Sequence, residues 1–240
     1  MIPTPDLRHL TAQDYDRVYE PAEDTFLLLD ALEADQHDLK RLRPLISLEI
    51  GSGSGCVSAF IAKILGPSVR TSRPTHFSPS LTSSTVYLCT DINPHACRCT
   101  HSTGHHNAAP LDPINTSLAG PLARRLHRAV DVVLFNPPYV PTVPDEADDA
   151  QQARGIAGAW AGGVDGMGVT DQFLERVGEL MSDRGRFYLV AVPENDVPGI
   201  RERMLRVHGL QSEIVLSRRA GREHLFVLRF VRAQGASQTN

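Results

Sequence analysis

The chain has 240 residues, of which 41% are hydrophobic and 22% charged, and its formal net charge is −4. These proportions are ordinary for a globular protein and exclude wholesale disorder, collagen and coiled coil. A chain of this length buries enough apolar surface to fold without a disulfide or a metal. The net negative charge argues against a protein that grips nucleic acid through bulk electrostatics.

The sequence predicts a cytoplasmic protein, with the nucleus as a second compartment. Residues 1–17 lack the basic segment and apolar core of a secretory signal. No apolar run reaches the roughly 18 residues that a membrane-spanning helix needs, so we expect no membrane partner. Without an export signal, the four cysteines are expected to be reduced thiols.

Short apolar runs alternate with helix-like segments along most of the chain. Strands are predicted at 45–50, 86–90, 131–135 and 186–192, and helices at 22–32, 55–65 and 171–181. Strands that are linked by crossover helices pair in parallel. Two further strands, at 210–216 and 224–231, are joined by a connection too short for a helix and must pair antiparallel. The pattern predicts an α/β fold whose mostly parallel sheet ends in an antiparallel hairpin.

We expect a single domain at residues 1–232. In the stretch 67–85, 13 of 19 residues are Ser, Thr or Pro, which predicts a flexible insertion between the first crossover helix and the second strand. The polar residues 233–240 are predicted to form a disordered tail.

A glycine-rich turn follows the first strand, since residues 48–55 read Leu-Glu-Ile-Gly-Ser-Gly-Ser-Gly. Such a turn brings bare backbone close to a ligand at the sheet edge. Cys56 stands where the dinucleotide fingerprint needs glycine, and no Lys-Ser or Lys-Thr pair follows as in a phosphate loop. The turn therefore favours a nucleoside without a pyrophosphate here; a purely structural strand–helix turn is the alternative.

Asp91 ends the second strand, where an acidic side chain commonly binds ribose hydroxyls. It lies 36 residues after Gly55, or 17 when the 19-residue insertion is left out, against the usual spacing of about 20. Asp91 could instead cap the helix that starts at Asn93-Pro94, and the two roles are compatible.

The segment Asn136-Pro137-Pro138-Tyr139 follows the strand at 131–135. Two prolines fix the backbone because each locks φ and removes a donor. Such a turn can present the Asn136 side chain and the Pro137 carbonyl as two acceptors for one –NH₂ group, while Tyr139 lies flat against a planar amide or base.

These motifs resemble the class I S-adenosylmethionine-dependent methyltransferases, whose sheet has seven strands. More narrowly, the chain resembles the HemK/PrmC protein-glutamine N5-methyltransferases that modify translation release factors, in their short eukaryotic and archaeal branch. The segments that carry the resemblance are 19–25, 49–55, 91–94, 131–141, 160–163 and 221–225. Asn-Pro-Pro-Tyr alone is shared with some adenine-N6 methyltransferases, whereas the whole set is more specific.

The resemblance implies a role for each matching residue. The S-adenosylmethionine-binding residues would be Tyr19, Glu23, Asp24, Thr25, Glu49, Gly51, Gly53, Gly55, Asp91, Ile92, Ser117 and Asn136. The catalytic residues would be Asn136, Pro137 and Tyr139, which with Pro138 also hold the substrate glutamine. The family often has Thr-Asp-Leu, with the Asp near the adenine amino group, where this chain has Thr116-Ser117-Leu118, so the resemblance leaves open whether Ser117 contacts the adenine. Catalysis would consist of placing the amide nitrogen about 3 to 3.5 Å from the methyl group, in line.

The resemblance also implies partners. The chain would be the catalytic subunit of a heterodimer that methylates the Gly-Gly-Gln glutamine of a class-1 release factor, either free or bound to its GTPase. A small zinc-binding activator subunit would cover an apolar strip in the third-strand region, near residues 111–122. The alternatives are an adenine-N6 methyltransferase acting on DNA or RNA, a histone-lysine methyltransferase, and a cofactor-binding scaffold without catalysis. The net charge makes nucleic acid the less favoured partner.

Three other signals are weaker. A cluster of histidines and cysteines at residues 95–106 resembles a zinc site but lacks a Cys-x₂-Cys pair, so we predict no metal there. Its members are His95, Cys97, Cys99, His101, His105 and His106. The acidic stretch 145–149 follows the Asn-Pro-Pro-Tyr turn and could face a basic substrate surface or simply solvent. Trp160, with Gly162 and Gly163, is expected to shape a lid or to pack in the core.

Overall fold

The computed structural model describes residues 1–66, 85–140, 166–221 and 223–233. Within these ranges one sheet contains the strands β1 (Ile46–Ile50), β2 (Val86–Asp91), β3 (Leu111–Asn115), β4 (Val130–Phe135), β5 (Met181–Ala191), β6 (Leu210–Ala220) and β7 (Glu223–Arg232). Their order across the sheet is β3-β2-β1-β4-β5-β7-β6. Strands β1 to β5 pair in parallel, whereas β7 is antiparallel to both β5 and β6. The predicted mostly parallel seven-stranded sheet with its antiparallel hairpin is confirmed.

Helices cover both faces of this sheet. They are α1 (Ala12–Tyr15), α2 (Glu23–Ala34), α3 (Gln36–Leu42), α4 (Cys56–Leu65), α5 (Pro94–His106), α6 (Gly168–Leu174), α7 (Val177–Leu180) and α8 (Val197–His208). Helices α2, α3 and α4 pack in one apolar cluster, and α6, α7 and α8 pack in the other. Strand β4 is buried along its whole length because Val132 and Leu134 face the first cluster and Val133 and Phe135 the second. This two-sided burial explains its continuous apolar sequence.

Strand β1 lies between β2 and β4, so the direction of chain winding reverses there. In open α/β sheets, ligands bind at such a switch point, outside the carboxyl ends of the strands. The glycine turn after β1, Asp91 at the end of β2 and Asn136 after β4 all lie at this edge. The topology therefore brings together three motifs that are far apart in the sequence.

Several predicted elements have wrong boundaries, among them the strand predicted at 186–192, which is β5 and begins at Met181. The helix predicted at 171–181 is interrupted at Glu175 and Arg176, which separate α6 from α7, and Met181 already belongs to β5. Its apolar spacing is real, since Phe173, Leu174, Val177 and Leu180 are all buried, but two short helices supply it. The hairpin strands are also longer than predicted, because cross-strand pairing continues to Ala220 and Glu223 beside a turn with positive φ at Gly221.

The last residue of the predicted insertion, Thr85, and the first residue of the predicted tail, Ala233, bond to the folded domain. Thr85 is buried, and its hydroxyl donates to the Pro44 carbonyl at 2.8 Å. Ala233 donates its backbone N–H to the Gly209 carbonyl at 2.9 Å. The remainder of the predicted insertion and tail lies outside the described residues, as do the acidic stretch 145–149 and Trp160. Among the helices that are described, none is both long and apolar enough to cross a membrane.

The Asp131 side chain links β4 to β5 and to the residue before β1, at the end of the strands opposite the glycine turn. Its buried carboxylate accepts hydrogen bonds from the Leu45 N–H at 2.7 Å, the Ser182 hydroxyl at 2.7 Å and the Arg184 guanidinium at 3.2 Å. Burial alone would raise the pKa of Asp131, but these donors outweigh it, and the pKa lies below the ordinary value of 3.8. The folded protein therefore favours the ionised form.

We expect Asp131→Asn to lower the free energy of unfolding at pH 7 by about 2–3 kcal/mol, because the amide cannot accept all of these donors. Since the folded pKa is depressed, the advantage of the wild type is present at neutral pH and shrinks as the pH falls below about 4. Urea unfolding at pH 7 and pH 3.5 measures this. Asp183→Asn, at an exposed site, is the control and should change stability by less than about 0.5 kcal/mol. A pH-independent Asp131 effect would contradict the assignment.

Candidate active site

The turn after β1 is built from glycines in the left-handed region. Gly51, Gly53 and Gly55 have φ values of +69°, +52° and +78°. Helix α5 holds this turn in place, because Thr100 donates to the Gly53 carbonyl at 3.2 Å and Thr103 donates to the Ser54 carbonyl at 2.7 Å. The backbone is thus fixed beside the cavity before any ligand arrives.

Asp91 reaches back across the sheet edge to this turn. Its carboxylate accepts the Gly53 N–H at 2.9 Å and the Asn93 N–H at 2.8 Å. Burial raises its pKa, against the opposing effect of these two hydrogen bonds. The cap of α5 is Asn93, whose side chain accepts the His95 N–H at 2.8 Å. The capping role considered for Asp91 is therefore performed by Asn93.

Glu49 is a buried carboxyl group at the end of β1. It accepts a hydrogen bond from the Ser58 hydroxyl, which in turn is approached by the Cys89 thiol at 3.2 Å. Burial raises the pKa of Glu49 to about 8, a rise to which the nearby negative charge of Asp91 contributes. A cation bound next to Glu49 would reverse this effect, because it favours the ionised form.

The Asp24 carboxylate connects the N-terminal part of the chain to the Asn-Pro-Pro-Tyr turn. It is buried in the first turn of α2 and accepts the Asn136 Nδ2–H at 3.0 Å, the Tyr139 hydroxyl at 3.2 Å and the Tyr19 hydroxyl at 3.2 Å. It also accepts the Thr25 N–H at 2.6 Å. Burial and the charge of Asp24 raise the pKa of both tyrosines, so their hydroxyls remain protonated donors.

These bonds fix the orientation of the Asn136 amide. Because a carboxylate only accepts hydrogen bonds, the group that faces Asp24 must be the amide nitrogen. The oxygen Oδ1 then points the other way, and it is buried without a hydrogen-bond partner among the described residues. A buried acceptor without a hydrogen bond lowers the stability of the fold, so its presence here indicates that a ligand supplies the donor.

A cavity of about 380 Å³ joins all these groups. The predicted site residues on its wall are Tyr19, Asp24, Thr25, Glu49, Gly51, Gly53, Asp91, Ile92, Ser117, Asn136, Pro137, Pro138 and Tyr139. The volume is within the range of small-molecule sites. The structure thus brings most of the predicted site residues to one cavity, while the role of each in binding or catalysis stays a prediction.

Two predicted cofactor-binding residues lie outside this wall. Glu23 points away and is 3.7 Å from Arg218, on the rim of a neighbouring groove. Gly55 begins α4 and packs on α5, where a Cβ would lie only 2.8 Å from the Thr100 Cα. Packing between the turn and α5 accounts for Gly55, and the adjacent acidic residue Asp24 rather than Glu23 faces the cavity.

Sequence reasoning missed other residues on the wall, among them Arg17, Val18, Gln172 and Glu223. Val18 gave no chemical signal, because it is a buried apolar residue that lies against the glycine turn. Glu223 could have been predicted, because it lies in the segment 221–225, one of those that carry the family resemblance. The hub role of Asp24 was also missed, since its partner Asn136 is 112 residues away.

Known structures share this fold. The chain matches the Mtq2–Trm112 complex structure of E. cuniculi with a TM-score of 0.60 and 24% identity, covering 90% of this chain and 99% of that one. It also matches a ribosomal protein L11 methylase of Lactobacillus delbrueckii with a TM-score of 0.54, at 15% identity and with 88% and 80% of the two chains covered. The fold is that of the class I S-adenosylmethionine-dependent methyltransferases. No model of a known protein family matches the chain.

Sequence similarity defines the family. The chain is 45% identical over 229 residues to Methyltransferase HEMK2 of Mus musculus, which covers 95% of this chain and 96% of that protein. It is 38% identical over 242 residues to the eRF1 methyltransferase catalytic subunit mtq2 of Schizosaccharomyces pombe, at 97% and 96% coverage. The chain therefore belongs to the family of HEMK2 and mtq2 methyltransferases, as the resemblance predicted.

The glycine turn allows a matched pair of substitutions. We expect Gly55→Ala to destabilise the protein by about 3 kcal/mol or more, because the methyl group would collide with the Thr100 backbone and φ is positive. Gly51→Ala meets no atom within 4 Å and should cost only about 1 kcal/mol from its positive φ. Thermal and urea unfolding of the two variants compares them directly. Equal losses would show that α5 does not restrict the turn.

Proposed function

We propose that the chain transfers a methyl group to the side-chain amide nitrogen of a glutamine, in the Gly-Gly-Gln loop of a class-1 release factor. The observation that carries this proposal is Asn136, a residue of the cavity wall whose buried Oδ1 has no hydrogen-bond partner among the described residues. An amide –NH₂ offers two donors, one for this oxygen and one for the Pro137 carbonyl. Tyr139, held by Asp24, packs against the amide plane.

The site has the means to bind and orient such an amide. An amide nitrogen is a weak nucleophile because its lone pair is delocalised, so its placement and direction control the rate. Two fixed acceptors set that direction and strengthen as positive charge develops on the nitrogen. The Asn136 orientation is established in advance by Asp24, which avoids reorganisation during the reaction.

S-adenosylmethionine, which supplies the methyl group, fits the rest of the cavity. The buried carboxyl of Glu49 suits the ammonium group of an amino acid, and Asp91 suits ribose hydroxyls. A Cβ at Gly51 would meet nothing within 4 Å, so the bare turn leaves room for a ligand to approach. Ser117 lies on the wall where the resemblance places the adenine, and it offers a neutral hydroxyl instead of a carboxylate.

We further propose that the chain acts as the catalytic subunit of a heterodimer. Two relatives support this: the S. pombe protein is named a catalytic subunit, and the E. cuniculi protein is a complex with Trm112. Strand β3 is an edge strand of the sheet, and the chain segment that follows it contains the partly buried apolar residues Leu118 and Leu122, which pack against the second apolar cluster. A small zinc-binding activator would pair with this region. The release factor would be presented in the cytoplasm, alone or with its GTPase.

Cofactor binding should release a proton. Glu49 is mostly protonated at pH 7 in the free protein, and an ammonium group beside it favours the carboxylate. We expect the release of up to about one proton per S-adenosylmethionine bound at pH 7, falling as the pH rises through 8. Calorimetry in buffers of different ionisation enthalpy measures it. Glu49→Gln should abolish the release and weaken binding; an unchanged proton count in that variant would contradict the assignment.

Removing the acceptor should impair methyl transfer. We expect Asn136→Ala to lower kcat/KM for the release factor by about 100-fold or more, because the amide loses its fixed Oδ1 partner. Val140→Ala, on the same wall but half exposed, is the control and should remain within about threefold of wild type. Steady-state assays with labelled cofactor compare them. A fully active Asn136→Ala enzyme would refute the proposed amide-holding role.

The substrate is tested by methyl transfer from labelled cofactor to purified release factor, with and without the activator. Parallel reactions use a release factor whose Gly-Gly-Gln glutamine is changed to asparagine. We expect incorporation that needs this glutamine and rises with the activator, and mass spectrometry should place one methyl group on it. Incorporation that survives the substitution, or no incorporation by a heterodimer that binds cofactor, would overturn the assignment.

A further inference from the structure

Three metal-ligating side chains meet outside the cavity just described. Asp14 comes from α1, while His95 and Cys99 come from α5. One ligand atom of each lies within 4.8 Å of the other two. The His95 Nε2 and Asp14 Oδ1 atoms are 2.9 Å apart, and the Cys99 thiol is buried between Val18 and Ala96.

The local sequence explains this arrangement. His95 and Cys99 are four residues apart, so they lie on one face of α5, one turn after the other. Asn93, the cap of that helix, donates its side-chain N–H to the Arg17 carbonyl at 2.8 Å and holds the segment after α1 against α5. Asp14 is thereby directed at the face that carries the imidazole and the thiol.

We propose that Asp14, His95 and Cys99 bind a Zn²⁺ ion, with water in the fourth position. A thiolate, an imidazole and a carboxylate are the ligands that zinc takes in proteins, and their charges neutralise the ion. Zinc–ligand bonds of about 2.0 to 2.3 Å in a tetrahedron place ligand atoms roughly 3.3 to 3.8 Å apart. A ligand pair at the 4.8 Å limit would therefore have to approach by roughly 1 to 1.5 Å, whereas the His95 and Asp14 atoms, now 2.9 Å apart, would separate slightly.

Binding requires one local rearrangement. The Arg98 guanidinium now donates to His95 Nδ1 at 2.9 Å, so the ring proton resides on Nε2, toward Asp14. Coordination through Nε2 needs the other tautomer, which the exposed Arg98 permits by swinging into solvent. Asp14 keeps its bonds to Thr11 through Oδ2, which leaves Oδ1 for the ion.

A metal here would fasten the N-terminal segment to α5. Arg17 and Val18 from that segment and Asn93 and Ala96 from the other side line the cofactor cavity. A cross-link between Asp14 and α5 therefore restrains two walls of the cavity at once. No metal was predicted from the sequence because the cluster after Asp91 lacks a Cys-x₂-Cys pair; the proposed site takes His95 and Cys99 from that cluster and adds Asp14 from α1.

The test is the metal content of the full chain, purified with its activator if the two are produced together. Wild type, Cys99→Ser and Asp14→Asn are dialysed against Zn²⁺ and then buffer, and zinc per chain is measured by mass spectrometry. Any metal in the partner is common to all samples and cancels. We expect one more zinc per chain in wild type than in either variant, and a thiolate charge-transfer band with Co²⁺ that Cys99→Ser lacks.

Cys97→Ser is the matched control, because its thiol lies on the same helix but outside the cluster. It should retain the zinc and the cobalt band. Asp14→Asn keeps the buried thiol intact, so it remains informative if Cys99→Ser does not fold. Equal zinc in wild type and Asp14→Asn, or a wild type without a cobalt–thiolate band, would overturn the proposal.

Discussion

The Asp24 carboxylate is the constraint on which the site depends. It accepts hydrogen bonds from Tyr19, Thr25, Asn136 and Tyr139, and so connects the start of α2 to the turn after β4. Its place in the first turn of a helix favours negative charge there. A carboxylate can only accept hydrogen bonds, so the Asn136 amide must turn its –NH₂ group toward Asp24. The arrangement that we propose for the reaction therefore does not depend on substrate binding.

The sheet provides the rest of the geometry. The switch between β1 and β4 places a glycine turn, the carboxyl groups of Glu49 and Asp91 and the Asn136 side chain around one cavity. The burial that stabilises the sheet also raises the pKa of Glu49 and of Asp91. The same packing thus creates carboxyl groups whose protonation would respond to a bound cation, and it holds Asn136, the proposed acceptor for the amide.

The sequence predicted the parts of this arrangement that local patterns encode. Continuous apolar strands, glycines needing positive φ and a rigid Asn136-Pro137 turn each have a local cause, so the α/β class and most of the wall could be predicted. Contacts between distant segments could not. The bond from Asn136 to Asp24, and the meeting of Asp14 with α5, depend on how helices pack across the sheet, which periodicity does not determine.

The most direct test of this account is the single-turnover rate of methyl transfer by Asp24→Asn at saturating cofactor. An asparagine at position 24 accepts through one oxygen only, so it cannot keep both the Thr25 N–H bond, which uses Oδ1, and the bonds from Asn136 and Tyr139, which use Oδ2. Its –NH₂ group would face one of these two sets of donors. The account predicts a fall of about 100-fold. Glu23→Gln, at the exposed neighbour outside the cavity wall, should react at the wild-type rate. An Asp24→Asn enzyme as fast as wild type would contradict the central role of this carboxylate.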